Sequence, residues 1–164
     1  MAEADNSDTA VRHQFQQLLL DITTQLGSSE WGNPTDMLRY HHFIEAEVAP
    51  LWDVASTARA LLGQENYQSL SGMQRDELHS AVKTTLIRYA YLGLEYYSEQ
   101  RFTIVDSVLN PQRGMGWLQV EIKLPKLPDF QFDMLIKRAP NQVWRAVDIR
   151  IQGITYVTIK KYQF

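Results

Sequence analysis

The sequence predicts an α+β domain: N-terminal helices packed on one face of a C-terminal four-stranded antiparallel sheet, with an apolar pocket enclosed between them. Three observations predict it. Apolar residues recur at helical spacing up to about residue 97. From Arg101 onward they alternate with polar ones at period two. The alternating runs are joined by short turn-forming clusters, which makes sequential strands an antiparallel meander whose apolar face the helices must cover.

The first helix is expected over residues 9–26. Val11, Phe15, Leu18, Leu19 and Ile22 share one face, and Gly27-Ser28-Ser29 ends it. Asn33-Pro34 reads as a cap with proline in the first turn, where no amide donor is lost. The helix it opens carries Met37, Leu38, Phe43, Ile44 and Val48 and is interrupted at Pro50. A further piece over 52–62 stops at Gly63, and a short helical or turn segment follows over 65–70. Ser71 with Gln74 three residues on resembles a capping box and opens the longest helix, 73–97. Its second half, 86–97, is apolar nearly all round, so it must be covered on most sides.

The strands follow in order. Residues 101–109 form the first, and Asn110-Pro111-Gln112-Arg113-Gly114 turns the chain. Over 117–124, Leu118, Val120, Ile122 and Leu124 alternate with Gln119, Glu121 and Lys123. Pro125 and Pro128 bracket a connection, after which Phe130, Phe132, Met134 and Ile136 alternate with polar residues. Ala139-Pro140-Asn141-Gln142 is a hairpin turn. The last strand, 143–151, places Val147, Ile149 and Ile151 on one side and Trp144, Ala146 and Asp148 on the other. Gly153 breaks it, and residues 154–164 return as a helix.

Length and composition bound the function. The chain has 164 residues, 45% hydrophobic and 21% charged, which fits one globular domain over 1–164 with the polar, acidic residues 1–8 disordered. No stretch approaches the roughly 18 apolar residues of a membrane span. There is no cysteine, which excludes disulfides, thiol nucleophiles and Cys-based zinc sites. Residues 1–8 lack the basic start and apolar run of a signal peptide. Net charge is −3, divided as −8 over residues 1–100 and +5 over 101–164. The basic half either solvates the polar face of the strands or meets an anionic partner. No dense basic run with interleaved aromatics points to nucleic acid.

Candidate chemistry is sparse. His41 and His42 point about 100° apart on a helix and do not chelate together; His41 and Glu45 form an i,i+4 pair without a third ligand, so no metal site is expected. No nucleophile elbow, P-loop, dinucleotide fingerprint or zincin motif is present, and Gly114-Met115-Gly116 reads as a turn. Asp148, among apolar residues, is either a carboxylate base with raised pKa or a structural group that caps a helix or pairs with Arg59 or Arg150. Tyr89, Tyr91, Tyr96, Tyr97, Trp52 and Trp144 form either a core of large rings or an apolar pocket with tyrosine hydroxyls at a wetter mouth.

Three stretches resemble a known family. They are Val48-Ala49-Pro50-Leu51-Trp52-Asp53 with Ala58-Arg59 and Leu62-Gly63; Gln74-Arg75 opening a long helix that ends in Leu94-Glu95-Tyr96-Tyr97; and Val143-Trp144-Arg145-Ala146-Val147-Asp148 followed by Gly153-Ile154 and Tyr156. Their order and spacing, from about residue 11 to 164, resemble the MlaC / toluene-tolerance family of periplasmic lipid carriers in ABC-type intermembrane transport. The resemblance implies a non-enzymatic, cofactor-free carrier. It would hold phospholipid acyl chains between sheet and helices and leave the head group in water. It would pass lipid between an inner-membrane ABC transporter complex and an outer-membrane lipoprotein complex, maintaining outer-membrane lipid asymmetry. A periplasmic monomer with its leader removed is expected. Members of the family continue with further helix beyond the position of Phe164, which implies a shorter closing end here.

Carried onto this chain, the residues expected to touch the acyl chains are Val120, Ile122, Phe132, Met134, Val147 and Ile149 from the sheet. Trp52, Tyr89, Tyr97, Ile154 and Val157 join them from helices. Lys137, Arg138, Arg145, Lys160 and Lys161 are candidates to meet an anionic head group or partner. Two other readings stand beside the carrier: a small NTF2-like enzyme in which Asp148 faces the cavity near a His or Tyr, and an interaction module without a cavity.

Overall fold

The computed structural model describes residues 8–26, 41–95, 101–123 and 128–163, with the side chains of 90–95 and 162–163 left out. The expected Asn33-Pro34 cap, the turn at 27–29, Tyr96, Tyr97 and Leu124 lie outside the described residues. Helix α1 is Asp8–Leu26. Residues 41–43 are helical, Ile44–Val48 forms a π-helical turn and Ala49–Leu51 a 3-10 turn. Then come α2 (Val54–Leu62), α3 (Gln64–Ser69) and α4 (Gly72–Glu95). The strands are β1 (Arg101–Asn110), β2 (Met115–Lys123), β3 (Phe130–Arg138), β4 (Trp144–Ile151) and β5 (Ile154–Thr155), followed by α5 (Tyr156–Gln163).

The capping box forms as read. Ser71 N donates to Gln74 Oε1 at 2.9 Å, and Gln74 N donates to Ser71 Oγ at 3.2 Å. Trp52 is extended rather than helical. It bridges Ala146 on the edge of β4, and Asp53 N donates to Ala146 O at 2.8 Å before the Asp53 side chain caps α2 through Ser56 N.

The sheet order is β1-β2-β3-β4-β5, every neighbour antiparallel. The fifth strand was not expected. Gln152 (φ 51°) and Gly153 (φ 80°) both adopt the left-handed conformation, so they make a two-residue hairpin turn and Ile154 pairs with Ile151. The last helix therefore begins at Tyr156, not at Ile154. The turn between β1 and β2 brings Gly116 under Leu109, where an added Cβ would lie 2.7 Å from the Leu109 Cα; only glycine fits that approach.

One sheet face packs on α1. Val11 and Phe15 meet Ile104, Leu118, Val120, Ile136 and Trp144, with Leu18, Leu19, Phe132 and Met134 beside them. Each fully buried side chain of this size stabilises the fold by about 1.5–3 kcal/mol. Helix α1 also covers the open edge of β1. Gln16 Oε1 accepts from Ile104 N at 2.8 Å and its Nε2 donates to Phe102 O at 3.1 Å, pairing edge groups that would otherwise invite another strand. A second cluster joins α2, α3 and α4 through Ala58, Tyr67 and Val82.

A bulge in β4 corrects the expected faces. Ile136 pairs with Ala146 and Leu135 with Asp148, which leaves Val147 as the extra residue. Trp144, Ala146 and Ile149 therefore share the α1 face, and Asp148 turns to the opposite one. The carbonyl of Val147 accepts from the hydroxyl of fully buried Thr57 at 2.7 Å. Thr57 Oγ1 in turn accepts from Trp52 Nε1 at 2.8 Å, so one hydroxyl ties α2, the bulge and the Trp52 ring together.

Candidate functional site

Two cavities flank β4. The larger, about 530 Å³, lies at the β4–β5 edge. Its walls are the turn segment with Ile44, Val48 and Trp52, helix α4 with Lys83, Leu86, Ile87 and Tyr89, the strand ends Ile149, Ile151 and Ile154, and α5 with Tyr156, Ile159 and Lys160. Ile44 and Ile87 are buried at 1% and 8% exposure. Tyr89, Ile151, Ile154 and Ile159 stand 40–53% exposed although all four converge on this one space. Large apolar side chains left half in water around a common void make this the candidate ligand surface.

Both helices present the cavity with residues at i, i+3 and i+4: Lys83, Leu86 and Ile87 on α4, and Tyr156, Ile159 and Lys160 on α5. Lys160 Nζ donates to Tyr89 Oη at 2.6 Å. That bond holds the Tyr89 hydroxyl below its ordinary pKa, while burial pushes that of Tyr156 up. The two rings meet edge to face with centroids 6.0 Å apart.

The smaller cavity, about 310 Å³, lies on the opposite sheet face beneath α2 and is lined by Arg59, Ala60, Leu135, Lys137, Val147, Asp148 and Val157 among others. Asp148 is 6% exposed. Its Oδ1 accepts from Ile149 N at 2.8 Å and from Val157 N, in the first turn of α5, at 3.3 Å. Burial raises its pKa against the opposing pull of these amides. Among the described residues neither expected arginine pairs with it: Arg59 lies over the Tyr67 ring, and Arg150 binds Asp133 at 2.8 Å and stacks on Trp117. No His or Tyr lines this cavity among the described residues. Asp148 thus serves as a helix cap.

This gives a pH prediction. A carboxyl whose folded pKa is raised adds stability that is fully present below its unfolded value of 3.8 and is lost as pH rises through the folded value. Asp148→Asn keeps an acceptor for both amides and removes that dependence. Its melting temperature, relative to wild type, is expected to climb in the variant's favour from acid to neutral pH. A flat difference would count against the burial argument. Asp148→Leu strands both amides and is expected to be less stable throughout, by about 1–3 kcal/mol.

The expected contact residues divide. Trp52, Tyr89, Ile149 and Ile154 line the larger cavity. Val147 and Val157 line the smaller one, because the bulge moves Val147 off the face of Ile149. Val120 is fully buried under α1, and Phe132 and Met134 pack beside it, so helix rather than void covers that part of the sheet. Ile122 sits half-buried between Phe102 and Phe130 and lines neither cavity. Tyr97 lies outside the described residues. Of the basic candidates, Lys160 lines the larger cavity and Lys137 the smaller; Arg138 bonds Pro111 O, and Arg145 and Lys161 line neither. Ile44, Leu86, Ile87, Ile151, Ile159 and Lys83 are new. For Lys83, Leu86, Ile87 and Ile159 the signal was the i, i+3, i+4 stripe with a lysine set into it. His41, His42 and Glu45 are exposed, and no three His, Asp or Glu side chains converge among the described residues.

A helix-covered antiparallel sheet with an apolar cavity at its edge defines an α+β fold with a candidate ligand pocket. A family model described as "MlaC protein" matches residues 13–164, and the chain belongs to the MlaC family. Among solved structures, the phospholipid-binding protein from Ralstonia solanacearum in complex with a phospholipid is similar. The TM-score is 0.76 and identity 17%, covering 93% of this chain and 84% of that one. A search of curated proteins finds no match.

Proposed function

We propose that this protein is a non-enzymatic phospholipid carrier that holds acyl chains in the 530 Å³ cavity and leaves the head group at the Lys83–Tyr89–Lys160 rim. The observation that carries the proposal is the convergence of four half-exposed apolar residues on that cavity. Each methylene taken from water contributes about 0.8 kcal/mol, so a single chain suffices for retention through purification. Family membership and the phospholipid bound to the Ralstonia protein support the same ligand class. Among the described residues no helix is long and apolar enough to cross a membrane.

On this reading the whole chain acts as one lipid-binding domain, working as a monomer in the periplasm. It receives or delivers lipid at an inner-membrane ABC transporter complex and an outer-membrane lipoprotein complex, and so contributes to outer-membrane lipid asymmetry and solvent tolerance. The lipid contacts are Trp52, Tyr89, Ile149 and Ile154 together with Ile44, Ile87 and Ile159. The test is native mass spectrometry and solvent extraction of protein purified from cells and then incubated with vesicles. About one phospholipid per chain is the expected result. A folded protein that carries none from either source would sink the proposal.

A further inference from the structure

Among the described residues, the charges that line the larger cavity are of one sign: Lys83 and Lys160, with no Asp or Glu, although the chain as a whole is net negative. Lys160 bonds the Tyr89 hydroxyl at 2.6 Å, and Lys83 lines the same cavity from α4. Glu45 and Glu47, on the neighbouring turn, do not line the space; Glu47 Oε2 accepts from Gln25.

The tyrosines argue against a quaternary ammonium guest. Aromatic rings at a pocket mouth attract such cations, but these rings already have protein cations beside them. Arg88 lies 5.8 Å from the Tyr89 centroid, and Lys160 Nζ lies 4.9 Å from Tyr89 and 5.8 Å from Tyr156. An ammonium would have to displace them or sit next to them. A bare phosphate or other acidic group meets ammonium and phenol donors instead, beside an apolar wall that weakens screening.

We propose that the Lys83–Tyr89–Lys160 rim reads the polar end of the ligand, so that the cavity selects phospholipids of net negative charge over zwitterionic ones with the same acyl chains. The inference rests on the carrier reading above and adds a preference to it.

The experiment offers delipidated protein vesicles of equal parts phosphatidylglycerol and phosphatidylcholine with matched chains, and quantifies the bound lipids by native mass spectrometry. About tenfold enrichment of the anionic lipid is expected, the scale of one charge-assisted hydrogen bond. In a Lys83→Met/Lys160→Met variant the ratio falls towards that of the vesicles, whereas Lys123→Met, an exposed change on β2, keeps the wild-type ratio. Inorganic phosphate alone is expected to leave the melting temperature where it was, because the chains do the holding. Equal uptake of both lipids by wild type overturns the inference while leaving the carrier intact. A ratio that survives the double substitution overturns the assignment to these lysines. Stabilisation by phosphate alone overturns head-group reading in favour of a simple ion site. No uptake of either lipid overturns the carrier itself.

Discussion

Replacing Ile149 with tryptophan is expected to empty the larger cavity of lipid while leaving the fold intact. Ile149 is half-buried on β4, pairs with Met134, and forms the sheet wall of the void. An indole there projects into the cavity left by the described residues, so it fills rather than overpacks. Excluding about four methylenes at ~0.8 kcal/mol each costs roughly 3 kcal/mol, or about a hundredfold in affinity. The measurement is lipid extracted per mole of purified protein, read beside the thermal unfolding curve. Ile149→Val, which removes one methylene from the same wall, is expected to keep its lipid. A folded Ile149→Trp protein with a full lipid load would show that the ligand lies elsewhere.

The second large effect is on stability. Thr57→Val is expected to lower the free energy of unfolding by about 2–5 kcal/mol. The substitution preserves shape but removes the hydroxyl that satisfies both the Val147 carbonyl and the Trp52 indole N–H. Each buried group left without a partner costs about 1–3 kcal/mol. Against a total stability of about 5–15 kcal/mol, that is a large fraction. Urea unfolding gives the midpoint shift. Thr57→Ser keeps both bonds, loses only a methyl group, and is expected to fall much closer to wild type. Equal losses for Val and Ser would assign the effect to packing instead. Because Trp52 lines the cavity, freeing its ring is also expected to change the tryptophan emission of the folded Thr57→Val protein.

Much of the fold was legible because local chemistry states it. Val11, Phe15, Leu18 and Leu19 recur at helical spacing and pack as one face of α1. Ser71 and Gln74 are three apart and form the reciprocal cap. The β2 and β3 alternation matches the observed register, with Leu118 opposite Met134 and Val120 opposite Phe132. Family membership was legible from segments spread along the whole chain.

The site was only half legible, and the reasons are specific. Period-two counting holds until a bulge inserts one residue. At Val147 it does, and every side chain beyond it in β4 changes face relative to the count. Asp148 consequently caps α5 from the opposite face rather than standing beside Trp144. The Gln152-Gly153 hairpin has a weaker turn signature than Asn-Gly, so β5 and the cavity residue Ile154 read as helix.

Alternation also cannot say what covers an apolar face. Val120 and Ile149 lie on the same side of the sheet, yet one is sealed beneath α1 and the other borders a void. The sequence by itself determined the α+β class, the order of the elements, the apolar character of the interior and the family. The tertiary structure decided where on that interior the helices stop short. Periodicity is a property of one segment, whereas a cavity is the space that several segments fail to fill together. No single stretch of sequence encodes that failure; it arises from the crossing of α4, α5 and the edge of β4 around Ile149.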